Sequence, residues 1–391
     1  MADGTSGSHR LRELASVFLR LGTIAIGGPP AQIAMMRAEL VERRRWMTEE
    51  EFLDRLGAAN LIPGPSSTEV TIFTGFLRAG WPGLFVAGAA YMLPAVIIVT
   101  LVAWIYVRFG NLPQVNGILY GLKPAVIVLV IQSVWKLGRS AARDLFLKAI
   151  GVAALLSTIA GAGPLAVIVG AGAVAGFGEW GKRNNRGMLA AIVLSAAGIV
   201  ALSSQFLPPV ATAESGHAIG LQQVFLYFLR TGTLIYGGGF VLIAFLQKDL
   251  VAAFHWLTSK QLLDAIAVGQ VTPGPVFTTA TFIGYLLLGV PGAAVATLGI
   301  FLPSFFFCAI SGPLIPVLRK SSVAGAFLDG VNVASVALMA AVAWELARAA
   351  LVDPLAIGLA AATAILLGLT EIKFGWLLLG SALIGLLTHT K

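Results

Sequence analysis

Long apolar runs alternate with short polar stretches along the whole chain. Each run is about 16 to 30 residues long and ends at glycine, proline or charged residues, which is typical of membrane helices. Strands of a membrane barrel would instead show alternation over about ten residues, and this is absent. The predicted apolar segments lie near 14–37, 56–79, 82–107, 113–137, 145–162, 163–181, 188–207, 218–247, 262–288, 291–317, 326–349, 353–368 and 372–389.

Composition supports a polytopic membrane protein. Hydrophobic residues make up 58% of the 391 residues and charged residues 11%, whereas a soluble domain has about 25% charge. The net charge of +8 comes from cations between the apolar runs, a pattern that sets membrane topology rather than binds nucleic acid. Enzyme motifs are absent and no cofactor is expected. Cys308 lies in an apolar run, where a packing role is favoured.

Two halves of the chain repeat one pattern. FLRLGTIAIGG at 18–28 matches FLRTGTLIYGG at 228–238, and Pro63-Gly64-Pro65 matches Pro273-Gly274-Pro275 in the same register. After a one-residue deletion the match continues as far as Asp353, which aligns with Asp144. A register held over about 130 residues indicates an internal duplication.

The predicted fold is an all-α polytopic membrane protein with two homologous six-segment repeats. The repeats are residues 1–186 and 211–391, and a connector helix at 187–210 joins them. Six crossings in the first repeat and one in the connector would place the second repeat upside down relative to the first, as in many secondary transporters. With the N-terminus inside, however, the ERRRW stretch at 42–46 falls outside, against the positive-inside rule. Either this loop lies along the interface, or segments 14–37 and 218–247 turn back as hairpins.

Each repeat contains two helix-breaking motifs, one rich in glycine and one Pro-Gly-Pro. A helix that restarts after Pro-Gly-Pro exposes N–H groups at its positive end, and hydroxyl residues follow both turns. Such an arrangement predicts an anion-binding site, because paired interruptions often mark a transporter's substrate site. The alternative is a pair of kinks that only help helices to pack.

A doubly charged anion needs more positive charge than two helix ends supply, about half a unit each. Lys123 is a candidate cation near mid-membrane, although it could instead extend to the headgroups. Glu69 is a candidate for proton coupling, or a partner for Lys123 or an arginine. The predicted substrate-binding residues are Gly27, Gly28, Pro29, Asn60, Pro63, Gly64, Pro65, Ser66, Ser67, Thr68, Lys123, Gly237, Gly238, Gly239, Gln270, Pro273, Gly274, Pro275, Thr278 and Thr279, with Gln32 a weaker candidate and no metal site.

The motifs IGGPPAQIAMM, ERRRWMTEEEF and NLIPGPSSTEV, together with their echoes in the second half, resemble the long, two-domain form of the chromate transporter family. The resemblance covers nearly the whole chain. It departs at Asn60, where the family pattern has glutamine, and at the second glycine motif, which reads GGG. The resemblance implies a bacterial inner-membrane carrier that exports chromate.

The sequence therefore predicts a multi-pass secondary transporter of a tetrahedral oxyanion, with chromate as the first candidate. Proton-coupled transport of sulfate or another oxyanion is the alternative, because sulfate has the same shape and charge. A membrane scaffold is a third hypothesis from another class. The expected partners are the oxyanion and the lipid bilayer, and a homodimer is left open.

Overall fold

The computed structural model describes residues 4–25, 28–59, 62–110, 112–184, 219–235, 241–311, 322–370, 372 and 374–389. Every regular element in these ranges is helical, as predicted. Among the described helices, five are long and apolar enough to cross a membrane, and three are shorter and apolar. The protein is therefore an all-α polytopic membrane protein. The predicted connector helix lies outside the described residues.

The described helices of the first half are α1 (Gly4–Ile24), α2 (Gly28–Arg37), α3 (Glu49–Ala59), α4 (Ser66–Phe109), α5 (Pro113–Ala141), α6 (Leu145–Ile159) and α7 (Pro164–Asn184). Those of the second half are α8 (Leu221–Leu234), α9 (Val241–Leu246), α10 (Ser259–Val271), α11 (Thr279–Ser311), α12 (Ser322–Ala350), α13 (Pro354–Leu369) and α14 (Phe374–His389). Short π-helices, Ala38–Arg43 and Gln247–Ala253, follow α2 and α9.

Matching residues begin matching helices in the two halves. The Asp144 carboxylate accepts a hydrogen bond from the Leu147 N–H at the start of α6, at 2.8 Å. The Asp353 carboxylate accepts one from the Ala356 N–H at the start of α13, also at 2.8 Å. Each aspartate satisfies an N–H group that the first helical turn leaves without a partner.

The chain turns back between α1 and α2. Arg44, which follows α2 and its π-helix, forms an ion pair with Glu13 of α1 at 2.9 Å. From Glu13 the chain rises about 18 Å to Ala25, estimated at 1.5 Å per residue, and then returns. Segment 14–37 is thus a hairpin that reaches about half the thickness of a bilayer. The sequence left open whether the ERRRW stretch lies along the interface or segment 14–37 turns back, and the structure contains the hairpin.

The next segment also returns to the end at which it began. Arg78, at the end of the first arm of α4, lies 3.3 Å from the second carboxylate oxygen of Glu13. The α3 helix, the Pro63–Pro65 turn and this arm therefore form a second half-length hairpin. The prediction that segment 56–79 crosses the membrane is wrong, because apolar length does not distinguish one crossing from two half-crossings.

A sharp turn divides α4 into two antiparallel arms. Gly80 has φ +60°, and Gly75 and Gly83 approach so closely that a methyl group on either would collide with the carbonyl of the other. The second arm runs from this turn to Phe109 and is long enough to cross the membrane. α11 repeats the turn at Gly289, with φ +64°.

Helices of opposite halves pack in two matching pairs. In the α5–α14 pair, Gly117 faces Gly385 and Gly121 faces Ser381, so the two helices run antiparallel. Small residues let such backbones approach closely. The α7–α12 pair is also antiparallel, with residues 172–176 of α7 facing residues 323–331 of α12 in reverse order.

Candidate functional site

The two Pro-Gly-Pro turns bind the opposite half of the molecule. The Gly64 N–H donates to the Ile235 carbonyl at 2.9 Å, and the Gly274 N–H donates to the Ala25 carbonyl at 3.0 Å. Gly64 aligns with Gly274 and Ala25 with Ile235, so the two hydrogen bonds are reciprocal. Each turn thus contacts the residue at which the first helix of the other half breaks.

Both turns need glycine. Gly64 has φ +141° and Gly274 has φ +96°, and side chains fill the space around each. A methyl group on Gly64 would collide with the Glu69 carboxylate and the Ser304 hydroxyl, whereas one on Gly274 would lie 2.7 Å from Cβ of Ala95. Because Ala95 aligns with Ser304, the two turns contact equivalent positions of α4 and α11. The first turn contacts a polar side chain at this position, and the second contacts an apolar one.

Gln32 links the two turns. Its Nε2 donates to the Gly274 carbonyl at 2.6 Å, and its Oε1 accepts from the Ser67 hydroxyl at 2.7 Å. Both side chains are buried. The aligned residues of the second half are Leu242 and Phe277, which are apolar. The second half therefore cannot form the equivalent hydrogen bonds with these two side chains.

Several buried polar atoms around the turns have no hydrogen-bond partner. Both carboxylate oxygens of Glu69 are in this group, and the residue is 0% exposed. The hydroxyls of Thr68 and Ser304 and both amide atoms of Gln270 are also unpaired and buried. Buried polar groups normally have partners, so this centre is suited to a polar guest.

The hydroxyls after the second turn are already engaged. The Thr278 hydroxyl donates to the Pro275 carbonyl, and the Thr279 hydroxyl donates to the Val276 carbonyl, both at 2.8 Å. Of the hydroxyl residues that follow the two turns, Thr68 of the first half therefore keeps an unpaired hydroxyl, whereas Thr278 and Thr279 of the second half do not. The sequence predicted that the hydroxyls after both turns would be available to an anion.

Lys123 lies apart from the turns and has a partner. Its Nζ is 2.8 Å from a carboxylate oxygen of Asp264, and the Tyr106 hydroxyl donates to the other oxygen at 2.9 Å. Asp264 is 0% exposed. The ion partner of Lys123 is thus Asp264 and not Glu69, for which the described residues supply no ion pair.

The remaining predicted residues divide into two groups. Pro63, Pro65, Pro273 and Pro275 form the turns themselves, Ser66 begins α4, and Gly28 and Pro29 begin α2. Gly27, Asn60, Gly237, Gly238 and Gly239 lie outside the described residues.

Sequence reasoning missed Asp264 and Ser304 as candidate functional residues. An aspartate within an apolar segment is a signal that could have identified Asp264, because ionisable residues in membranes are usually functional. A single serine in an apolar helix carries no such signal. Ser304 stands out only because the structure places it against Gly64.

Known proteins resemble this chain over nearly all of its length. The family model for chromate transporters matches residues 12–177 and again residues 222–386. The chain belongs to the chromate transporter family. Its two matched regions begin 210 residues apart (222 − 12), the offset of the internal repeat.

Curated relatives of this chain include proteins named as chromate transport proteins. A chromate transport protein of Cupriavidus metallidurans is 33% identical, covering 98% of this chain and 95% of the relative. One from Pseudomonas aeruginosa is 31% identical over 86% of this chain and 81% of its own length. An uncharacterised transporter of Methanocaldococcus jannaschii is 29% identical over 83% and 81%. No solved structure matches the chain. The family and the apolar helices identify a multi-pass bacterial membrane protein.

An ionic cluster lies at the end of the first half at which α1 begins. Arg44 pairs with Glu39 at 2.7 Å and with Glu13 at 2.9 Å, and the Arg78 guanidinium lies 4.0 Å from the centre of the Trp46 ring. Burial raises the pKa of Glu39, but the hydrogen bonds and charges of the neighbouring arginines outweigh it and leave this pKa below its usual value.

A cavity of about 700 Å³ lies at the opposite end of the transporter, away from both turns. It lies between the α6–α7 connection, the π-helix after α9 and the end of α12, with Lys248 and Arg348 among its lining residues. The Lys248 ammonium donates to the carbonyls of Gly161 and Ala162, at 2.7 and 2.6 Å. These bonds hold the π-helix of the second half against the α6–α7 connection of the first half.

Proposed function

We propose that this protein exports chromate, a tetrahedral dianion, from the cytoplasm through the centre between its two Pro-Gly-Pro turns. The observation that carries the proposal is the reciprocal pair of hydrogen bonds from Gly64 to Ile235 and from Gly274 to Ala25. These bonds bring four helix interruptions together in the interior, beside unpaired polar side chains. Irregular backbone at membrane depth is tolerated where it surrounds a site for polar groups.

We propose further that the two repeats are inverted. α6 connects α5 and α7 through short turns at 142–144 and 160–163, so α5 and α7 run in the same direction. Because α12 runs antiparallel to α7, it also runs antiparallel to α5, its equivalent in the first repeat. Inverted repeats around a central site support alternating access, in which one repeat rocks against the other.

The charge distribution favours an N-terminus in the cytoplasm. The hairpins bring the ERRRW stretch to the same end as the start of α1, which removes the conflict with the positive-inside rule. The opposite end carries fewer cations among the described residues, and these include Arg108, Arg230, Lys248, Lys260 and Arg348. The end assigned to the cytoplasm carries Arg10, Arg12, Arg43, Arg44, Arg45, Arg78, Lys136, Arg139 and Arg143.

Membrane potential is sufficient to drive export of a dianion. Each charge moving across 100 mV is worth about 2.3 kcal/mol. A dianion leaving a negative interior therefore gains about 4.6 kcal/mol, or about three decades of concentration. This transport needs neither ATP nor a cofactor.

Glu69 favours a second candidate function, the proton-coupled transport of sulfate or another oxyanion. Its carboxylate contacts the Gly64 turn and has no cation beside it among the described residues. An ionised carboxylate there would repel a dianion, so binding of the anion would require a proton on Glu69. Anion and proton would then move together, which suits uptake better than export.

Counterflow in proteoliposomes tests these alternatives. Radiolabelled chromate and sulfate would be followed with and without a pH gradient, and with the membrane potential set by valinomycin. Chromate flux that follows the potential and ignores sulfate supports export. Sulfate flux that requires a proton gradient and is lost in Glu69→Gln supports the second function. Absence of flux for both anions would support the scaffold hypothesis.

A further inference from the structure

We infer that Lys123, Asp264 and Tyr106 form a gate that the oxyanion itself opens, by replacing the Asp264 carboxylate as the partner of Lys123. This inference rests on the proposed anion transport. Lys123 and Tyr106 belong to the first repeat, on α5 and α4, and Asp264 belongs to the second, on α10. The ion pair of 2.8 Å and the hydrogen bond of 2.9 Å therefore join the two repeats.

The cluster lies between the central turns and one surface of the molecule. Lys260, near the start of α10, contacts Asn116 near the start of α5 at 3.3 Å and marks that surface. Asp264 is one turn deeper on the same helix. α10 then continues to Val271, two residues before the start of the Pro273–Pro275 turn. An anion moving between the turns and this surface would approach Lys123.

The sequence of the other repeat keeps only part of this cluster at the aligned positions. The residue aligned with Asp264 is also an aspartate, Asp54, but the residue aligned with Lys123 is Asn332. The two repeats thus share the acidic position, and only the first supplies a lysine. At these aligned positions, a lysine and an aspartate therefore occur together only at the end that we assign to the outside.

Charge explains why an anion would open the contact. Asp264 is 0% exposed and the Lys123 side chain is 14% exposed, so separating the pair without a replacement would leave a buried charge uncompensated. A divalent oxyanion supplies that replacement for Lys123, because it offers the ammonium several acceptor oxygens and more charge than a carboxylate. Asp264 loses its cation in the exchange and keeps the hydrogen bond from Tyr106.

Chromate transport by three variants and a control tests the gate. In Asp264→Asn, Lys123 has no competing carboxylate, so KM should fall about tenfold and maximal flux should fall as well, because the anion leaves slowly. In the neutral pair Lys123→Met with Asp264→Asn, no buried charge is left unpaired and KM should rise about tenfold. Tyr106→Phe should change KM less. Lys260→Met, a lysine at the same surface outside the cluster, should match the wild type.

The neutral pair keeps the test informative if Asp264→Asn does not fold. A neutral pair with normal abundance and wild-type KM would show that the ion pair only stabilises the structure, and would overturn the gate. An Asp264→Asn variant with normal abundance and unchanged KM would overturn it too. A wild-type protein that moves no oxyanion would contradict the proposed function itself, which is a distinguishable result.

Discussion

The equivalent ends of the two repeats share a backbone but differ in chemistry. Arg45 and His255 occupy aligned positions, and their φ angles are +52° and +53°. Each is followed by a tryptophan. Trp46 lies under the Arg78 guanidinium at 4.0 Å, whereas the Trp256 ring is 5.2 Å from that of Phe254, which aligns with Arg44.

Some positions of the two repeats determine the backbone path, whereas others differ in side-chain chemistry. Glycines at the turns and the left-handed residue before each tryptophan are placed alike in both repeats, because the same path requires them. The side chains that surround the tryptophan became ionic in one repeat and aromatic in the other. The two ends therefore differ in charge, as ends that face different compartments would.

The largest expected effect distinguishes the two Pro-Gly-Pro turns. Gly64→Ala would push a methyl group into Glu69 and Ser304, and we expect chromate flux to fall about 100-fold, as misplacement of site groups by about 1 Å can do. In Gly274→Ala the nearest atom to the added methyl group is Cβ of Ala95, at 2.7 Å, and this variant should cost about tenfold. Flux in proteoliposomes measures both.

Gly358→Ala is the matched control for these two variants. Gly358 lies within α13, and a methyl group there would meet nothing within 4 Å. Its flux should equal that of the wild type. Equal flux in Gly64→Ala and Gly358→Ala, at equal abundance, would remove the first turn from the site.

The next effect concerns the ionic end of the first repeat. Glu39→Gln weakens the contacts with Arg44 at 2.7 Å and Arg43 at 3.0 Å, so we expect a loss of about 1 to 3 kcal/mol in stability. Because the pKa of Glu39 is lowered in the folded protein, the ionised carboxylate stabilises the fold at pH values above the unfolded-state pKa. This stabilisation is lost as pH falls through the folded-state pKa. Thermal unfolding in detergent between pH 3 and 8 measures the difference, and a constant Tm difference would contradict this account.

Asp249 of the second repeat aligns with Glu39, and its contribution to stability should depend on pH in the opposite direction. Burial raises the pKa of Asp249 to about 6, although Arg230 and Lys248 lower it in part. Its relative contribution to stability is therefore greatest below the unfolded pKa and is lost as pH rises through about 6. Asp249→Asn should be more stable than the wild type at pH 8 by about 1 to 2 kcal/mol.

The same Tm series, run at pH 4, serves as the control for Asp249→Asn. The variant's advantage should shrink at that pH, where the native aspartate is protonated. An advantage of equal size at both pH values would mean that the substitution acts through packing and not through charge.

The smallest expected effect concerns the residue with left-handed backbone conformation that precedes a tryptophan in each repeat. Arg45→Gly and His255→Gly each relieve a left-handed backbone conformation, and each should stabilise the protein by about 0.5 kcal/mol. Tm measurements on the single variants and the double variant check this. Opposite signs in the two repeats would contradict the shared backbone path.

Much of the fold could be predicted from the sequence because local chemistry determines it. Glycine and proline mark the interruptions, and Asp144 and Asp353 mark helix starts. The half-length hairpins could not be predicted, since a long apolar segment fits one crossing or two half-crossings equally well. The contact between Glu13 and Arg44 decides between them, and it exists only in the folded chain.

The candidate site was only partly predictable for a similar reason. The Pro-Gly-Pro motifs and Glu69 are recognisable because they are unusual in an apolar segment. The pairing of Lys123 with Asp264 and the contact between Ser304 and Gly64 join distant parts of the chain. No pattern within one repeat specifies them.

Protection of a cysteine beside the first turn tests the central site most directly. Thr68→Cys in a Cys308→Ala background places a thiol, as the only cysteine of the chain, at a buried and unpaired position. A small membrane-impermeant thiol reagent should label it in active proteoliposomes, and chromate should slow the labelling in proportion to site occupancy. Labelling that proceeds at the same rate with and without saturating chromate would contradict an oxyanion site between the turns.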